Sequence, residues 1–130
     1  MAKYGKKDIT PDRHDWNPTP LPEQVVLVTS IDRGEKPHVA TKTRISVISY
    51  GPPTLVVFAC RKEYKTASNV KNSREFVVNW PGDNLVATSW VIGSQPGAAG
   101  PELFSENGLT PIPSSKVKVP RIGECRAHLE

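Results

Sequence analysis

Apolar residues in this chain come in short runs broken by turn-forming residues. Val25-Val26-Leu27-Val28-Thr29-Ser30-Ile31 is β-branched and apolar at successive positions, which predicts a strand buried on both faces. Asp32-Arg33-Gly34-Glu35-Lys36-Pro37 carries turn chemistry. His38 to Tyr50 then reads as a second strand, bent near its middle and forming a hairpin with the first. Gly51-Pro52-Pro53 stops it, and Leu55 to Cys60 predicts a third strand, again buried on both faces. From Arg61 to Arg74 the pattern changes to a short helix capped by Thr66, with Ala67 and Val70 inward and Asn69, Lys71 and Asn72 outward. Glu75 to Trp80 is a fourth strand, ended by Pro81-Gly82. Asp83 is placed to cap a helix through Leu85, Val86, Ser89 and Ile92 that Gly93 closes. Gln95 to Ser115 reads as loop with one helical turn at Glu102-Leu103-Phe104, and Lys116 to Val119 and Gly123 to Leu129 read as strands.

Composition sharpens this picture. The chain has 130 residues and 13 prolines, about twice the usual share. Proline lacks the donor a helix interior needs, so long helical bundles and coiled coils are excluded. Short strands and a few short helices remain, as in a compact β-barrel with α insertions. Residues 1–22, with Pro18, Pro20 and Pro22, read as an extended leader ahead of a domain over residues 23–130. The longest apolar run, Leu55 to Cys60, is far short of the ~20 residues that span a bilayer. The N-terminus has charge without an apolar stretch behind it, unlike a secretory signal. Cys60 and Cys125 form no C-x-x-C pair, Cys60 reading as a small hydrophobe, and a reduced, cytoplasmic setting is expected.

The net charge of +4 is spread through the chain rather than gathered in a basic arm. The most informative segment is Thr41-Lys42-Thr43-Arg44-Ile45-Ser46-Val47-Ile48-Ser49. On one continuous strand Lys42, Arg44 and Ser46 would share a face, and two cations with several hydroxyls can bind a phosphate group. A charged strand face turned to solvent fits the same pattern. A second basic cluster, Arg61, Lys62, Tyr64, Lys65 and Thr66, follows the third strand, and both clusters would lie at one end of the barrel if the second and third strands are neighbours. His14, His38 and His128 have no metal-ligand spacing with either cysteine and read as ordinary surface or partly buried residues. Trp16, Trp80 and Trp90 read as packing residues, although a tryptophan can also stack on a ring system. No phosphate-binding glycine loop, nucleophile elbow or nucleophile–base pair is present, so no catalytic side chain is assigned. Redox chemistry here would have to come from a cofactor.

Read in order, Val26-Leu27-Val28-Thr29-Ser30, Val39-Ala40-Thr41, Ser46-Val47-Ile48-Ser49-Tyr50-Gly51-Pro52-Pro53 and Glu75-Phe76-Val77-Val78-Asn79 resemble the flavin reductase-like family. Gly108-Leu109-Thr110 and Val119-Pro120-Arg121-Ile122-Gly123-Glu124-Cys125 extend the resemblance over most of the chain. It implies a mainly β fold, an FMN-binding split β-barrel with two or three short helices. It also implies FMN held non-covalently at a homodimer interface, with NADH or NADPH as electron donor in an FMN-dependent oxidoreductase. Carried over by position, the cofactor-binding residues are Thr41, Lys42, Thr43, Arg44, Ile45, Ser46 and Ser49, then Arg61, Lys65 and Thr66. In relatives the last segment often reads Lys-Asp-Thr-x-x-Asn-Ile. Here it is Tyr64-Lys65-Thr66-Ala67-Ser68-Asn69-Val70, with Thr66 and Asn69 in register and the lysine displaced by one place. His38 stands where an asparagine is common. Relatives also continue past the last residue here with a further strand region around a Gly-Asp-His element, so the expectation is a truncated member or a barrel that closes differently. Two other readings stay open: a small β-barrel that binds nucleic acid, and a dimeric scaffold without activity. The small number of aromatics argues against nucleic acid.

Overall fold

Val26 to Ile31 forms β1, and all six of its residues are buried. It is the hub of a four-stranded antiparallel sheet in the order β2-β1-β5-β8, where β2 is Pro37–Lys42, β5 Val77–Trp80 and β8 Ala127–Leu129. The computed structural model describes residues 22–95 and 102–130. The leader expected over residues 1–22, with His14 and Trp16, lies outside the described residues except for Pro22. Among the described residues no helix is long and apolar enough to cross a membrane.

The apolar run of β1 is buried on both faces because different elements cover each face. Successive side chains of a strand point to opposite sides. Leu27 joins a cluster with Val39, Leu85, Ile92, Leu103, Phe104, Leu109, Ile122 and Cys125. Val26 and Val28 join Ile45 and Val78, against which Val56, Phe58, Phe76, Trp80 and Leu129 pack. Phe58 and Phe76 meet edge to face there, with ring centroids 5.0 Å apart. The first side is covered by α2 (Val86–Ser94) and α3 (Glu102–Glu106), the second by a ribbon of β3 (Ile45–Ser49) and β4 (Leu55–Phe58). The helix α1, Lys65–Ser73, lies against β1. A short antiparallel pair, β6 (Pro111–Ile112) with β7 (Arg121–Ile122), completes the fold.

The β1–β2 hairpin forms as the sequence predicts, with Asp32 closing its turn: the carboxylate accepts from the backbone N–H of Gly34 (2.8 Å) and of Lys36 (3.0 Å). Several local expectations are corrected. His38 to Tyr50 is not one bent strand. β2 ends at Lys42, the Ile45 N–H donates to the Thr43 carbonyl across a three-residue turn, and β3 belongs to the separate ribbon. The third strand stops at Phe58 and is buried on one face only: Val56 and Phe58 are partly buried, Leu55 and Val57 exposed. An apolar run alone does not say how many faces are covered.

Thr66 is not a cap either. It sits one residue inside α1, fully buried, behind an uncapped Tyr64. Asn69 turns inward rather than outward, because its side-chain amide donates to the Ser30 hydroxyl (3.1 Å) and docks α1 on β1. Asp83 opens a 3-10 turn without capping it, its carboxylate being engaged by Arg126. Gly93 lies within α2, which runs on to Ser94. Lys116 to Val119 is bent chain, held at its start by Glu130, whose carboxylate accepts from the N–H groups of Ser115 and Lys116. His38 is buried rather than superficial. His128 is partly buried, one ring nitrogen lying 2.8 Å from the Ile122 carbonyl oxygen.

Candidate functional site

The break between β2 and β3 creates the site. Where the chain leaves one sheet for the other, the period-2 alternation is interrupted, so Lys42, Arg44 and Ser46 do not share a face. Lys42 is 9% exposed, whereas Arg44 and Ser46 are exposed to solvent. The gap opens a cleft of about 1030 Å³. Its floor is Thr41 to Arg44, one wall is Ala59 to Arg61 with Tyr64, and the other is the corner after β5 with α2. Gln24 helps to hold the gap open: its amide donates to the Ile45 carbonyl (3.1 Å) and its oxygen accepts from the Trp80 indole (2.9 Å), tying the ribbon to the sheet.

α2 can approach β2 closely because it presents small residues there. Ser89 and Gly93, four apart, share one helix face. A Cβ on Gly93 would stand 3.4 Å from the Cβ of Thr41. The Thr41 hydroxyl donates to the Ser89 carbonyl at 2.6 Å. This fixes Thr41 against the helix, while Lys42 faces the opposite side of the sheet, across from Val26.

The charge of the cleft is one-sided. Lys42, Arg44 and Arg61 line it, and Asp83, engaged by Arg126, is the one carboxylate among its lining residues. Arg44 reaches Glu23 outside the cleft at 3.9 Å. Lys42 has no carboxylate partner among the described residues, and its ammonium lies 5.0 Å from the centroid of the Tyr64 ring. Ser89 is 4% exposed and its hydroxyl makes no hydrogen bond. Ser68, Ser73, Ser94 and Ser105, the other helical serines described, each donate to a carbonyl three or four residues earlier. Opposite the cations the wall is apolar, with Val86 and Trp90 one turn apart on α2; Trp90 is 77% exposed rather than packed.

Of the residues expected to bind a cofactor, Thr41, Lys42, Thr43, Arg44 and Arg61 come together in this cleft. The two basic clusters therefore converge, since β3 and β4 are neighbours. Lys65 and Thr66 line an adjoining cleft of about 370 Å³ that shares Thr41 to Arg44 and Tyr64 with the first, and Lys65 stands 3.8 Å from Asp32. Ile45 and Ser46 line a third recess on the far side of Arg44. Ser49, at the end of β3, lines none of the three. Sequence reasoning missed Cys60, Val86, Ser89, Trp90 and Gly93. The small pair Ser89 and Gly93 at helical spacing was a usable signal, but which face of α2 met β2 was not in the sequence. Cys60 lies beyond the end of β4, half-buried in the cleft wall. Cys125 is in the core, where burial raises its thiol to about 11, helped by the charge of Glu124.

The model of the flavin reductase like domain matches residues 19–130. The chain belongs to the flavin reductase-like family. Two uncharacterized proteins are similar to the chain in sequence. One from Pyrococcus abyssi is 31% identical over 109 residues, 84% of this chain and 60% of that protein. One from Archaeoglobus fulgidus is 38% identical over 96 residues, 74% of this chain and 53% of that protein. The chain thus spans between half and two-thirds of the relatives it matches. Among solved structures, nitrilotriacetate monooxygenase component B from Bacillus cereus superposes with a TM-score of 0.80 at 19% identity, covering 95% of this chain and 66% of that one. An FMN-binding domain of flavin reductase-like enzymes from Shewanella baltica superposes at 0.73 with 20% identity, covering 82% and 55%. At such identities these likenesses establish the fold, the expected split β-barrel.

Proposed function

We propose that the cleft holds FMN and that the protein is an oxidoreductase passing electrons from NADH or NADPH through that flavin. The observation that carries the reading is Lys42: a residue nine-tenths buried, its ammonium beside the Tyr64 ring with no carboxylate partner among the described residues, in a cleft that also presents Arg44 and Arg61. A cation that lines a cleft beside a ring, with no counter-anion among the described residues, is available to pair with an anionic ligand. Lys42, Arg44 and Arg61 would bind the phosphate, Thr41 and Thr43 would border the chain between phosphate and ring, and Val86 and Trp90 would face the ring and exclude water. The flavin, when bound, supplies the hydride chemistry, so no nucleophile is asked of the side chains. The family membership and the FMN-binding domain from Shewanella baltica support the choice of ligand.

The test compares FMN with riboflavin, which lacks the phosphate. In the Lys42→Ala and Arg44→Ala double variant, FMN affinity falls roughly 10–100-fold, as expected for loss of charge-assisted hydrogen bonds, and riboflavin affinity is unchanged. Fluorescence titration of each flavin reads both constants. Wild-type protein that fails to quench FMN, or a variant that loses both ligands equally, refutes the assignment.

The reading includes a homodimer. Val47, Ile48, Tyr50, Leu55 and Val57 are exposed on or beside the β3–β4 ribbon, and Ile48 is 63% and Tyr50 87% exposed. Adjacent apolar side chains on an exposed sheet face mark an interaction surface. A second copy of the chain on that ribbon would cover them.

A further inference from the structure

Lys42 and Tyr64 belong to different elements. Lys42 is the last residue of β2, held by its pairing with Val26. Tyr64 leads into α1: its N–H donates to the Arg61 carbonyl (3.1 Å) and its own carbonyl accepts from Ala67 (3.0 Å) and Ser68 (3.3 Å). Its backbone is therefore fixed, and its ring meets the Lys42 ammonium at 5.0 Å from the centroid. Both residues line the main cleft and the smaller adjoining one.

A lysine side chain has four flexible bonds and loses much freedom when held. Proteins commonly hold a buried lysine with a carboxylate, but that pairing also cancels its charge. An aromatic ring holds an ammonium through its quadrupole and carries no net charge. The ring covers one side of the ammonium, and N–H donors on the other sides remain free for an incoming oxygen. Among the described residues no carboxylate competes for them.

We infer that Tyr64 is a positioning residue, whose ring holds the Lys42 ammonium in the cleft at full charge for an anionic ligand. The inference rests on the flavin reading for the identity of that ligand, a phosphate-bearing flavin. It assigns Tyr64 a role through its ring face, with no need for its hydroxyl.

Three variants test this. Tyr64 is part-exposed, so substitutions there leave the core intact. Tyr64→Leu removes the ring and weakens FMN roughly 3–10-fold, the range of a cation–π contact, with riboflavin affinity unchanged. Tyr64→Phe keeps the ring and binds FMN as wild type does. Tyr64→Glu keeps Lys42 held but neutralises it, and weakens FMN at least as much as Tyr64→Leu while sparing riboflavin. Fluorescence titrations of both flavins, with circular dichroism melts to compare folding, give the readout. Wild-type FMN affinity in Tyr64→Leu overturns the inference. So does a Tyr64→Phe loss equal to that of Tyr64→Leu, which would assign the hydroxyl, or an equal loss of riboflavin, which would place the ring against the ligand itself. A wild-type chain that binds no FMN overturns the flavin reading and this inference together, whereas the three variant outcomes against a binding wild type overturn this inference alone.

Discussion

Two buried polar side chains make opposite contributions to stability. The Asn79 side chain is fully buried and fully used: its amide donates to the Leu27 carbonyl (2.9 Å) and the Thr29 hydroxyl (3.2 Å), and its oxygen accepts from the Ile122 N–H (2.9 Å). It ties β1, β5 and β7 together at one point. Asn79→Ala strands the buried Ile122 N–H and is expected to cost about 1–3 kcal/mol for that group alone. Ser89 is the reverse case, a buried hydroxyl without a partner. Ser89→Ala removes that desolvated group at a helical position where alanine is intrinsically better, and is expected to stabilise the ligand-free protein by about 1 kcal/mol. Urea unfolding of both variants checks the pair, and a destabilised Ser89→Ala would contradict this account of its hydroxyl. Neither sign was visible in the sequence, where both residues read as ordinary polar positions within apolar elements.

At the scale of elements, the β1–β2 hairpin depends on one carboxylate. The Lys36 N–H holds the Asp32 carboxyl below the ordinary range. Partial burial opposes this, and the Gly34 N–H and the positive charges of Lys65 and Lys36 reinforce it. A carboxyl that is more acidic when folded stabilises the fold above its unfolded value of about 4 and loses that contribution as the pH falls through the folded value. The urea midpoint should therefore drop between pH 7 and pH 3, and drop less in Asp32→Asn, whose side-chain oxygen still accepts both N–H groups but does not titrate. Glu130 shifts the same way, through the Ser115 and Lys116 N–H groups, so the slope is reduced in the variant and not abolished. This hairpin was legible in the sequence because its information is local: a turn of Asp, Gly and Pro between two β-branched runs. The break at Thr43-Arg44 was not legible, because alternating residues on either side of it fit one bent strand as well as two strands in separate sheets.

For the molecule as a whole, the β3–β4 ribbon shields the inner side of β1 and leaves Leu55 and Val57 outward. In the proposed homodimer these side chains are covered. Leu55→Lys with Val57→Lys is expected to convert a particle of twice the chain mass into one of a single chain mass in sedimentation equilibrium, with the circular dichroism spectrum retained. Placing charges on a covered apolar face is costly, while the same charges on a solvated ribbon are not. A single chain mass in the wild type would rule out the dimer.

The sequence by itself determined the mainly β class, the hairpin, the order of most elements and the two basic clusters, because each depends on periodicity, turn chemistry or composition within a short window. Its ordered motifs also pointed to the family that the match over residues 19–130 establishes. Only the tertiary structure decided that Lys42 is buried while Arg44 is exposed, that Tyr64 rather than a carboxylate meets it, and that Ser89 and Gly93 of α2 face β2. Those facts depend on which elements pack together across dozens of residues, and a helix or strand carries no local mark of the partner that covers it.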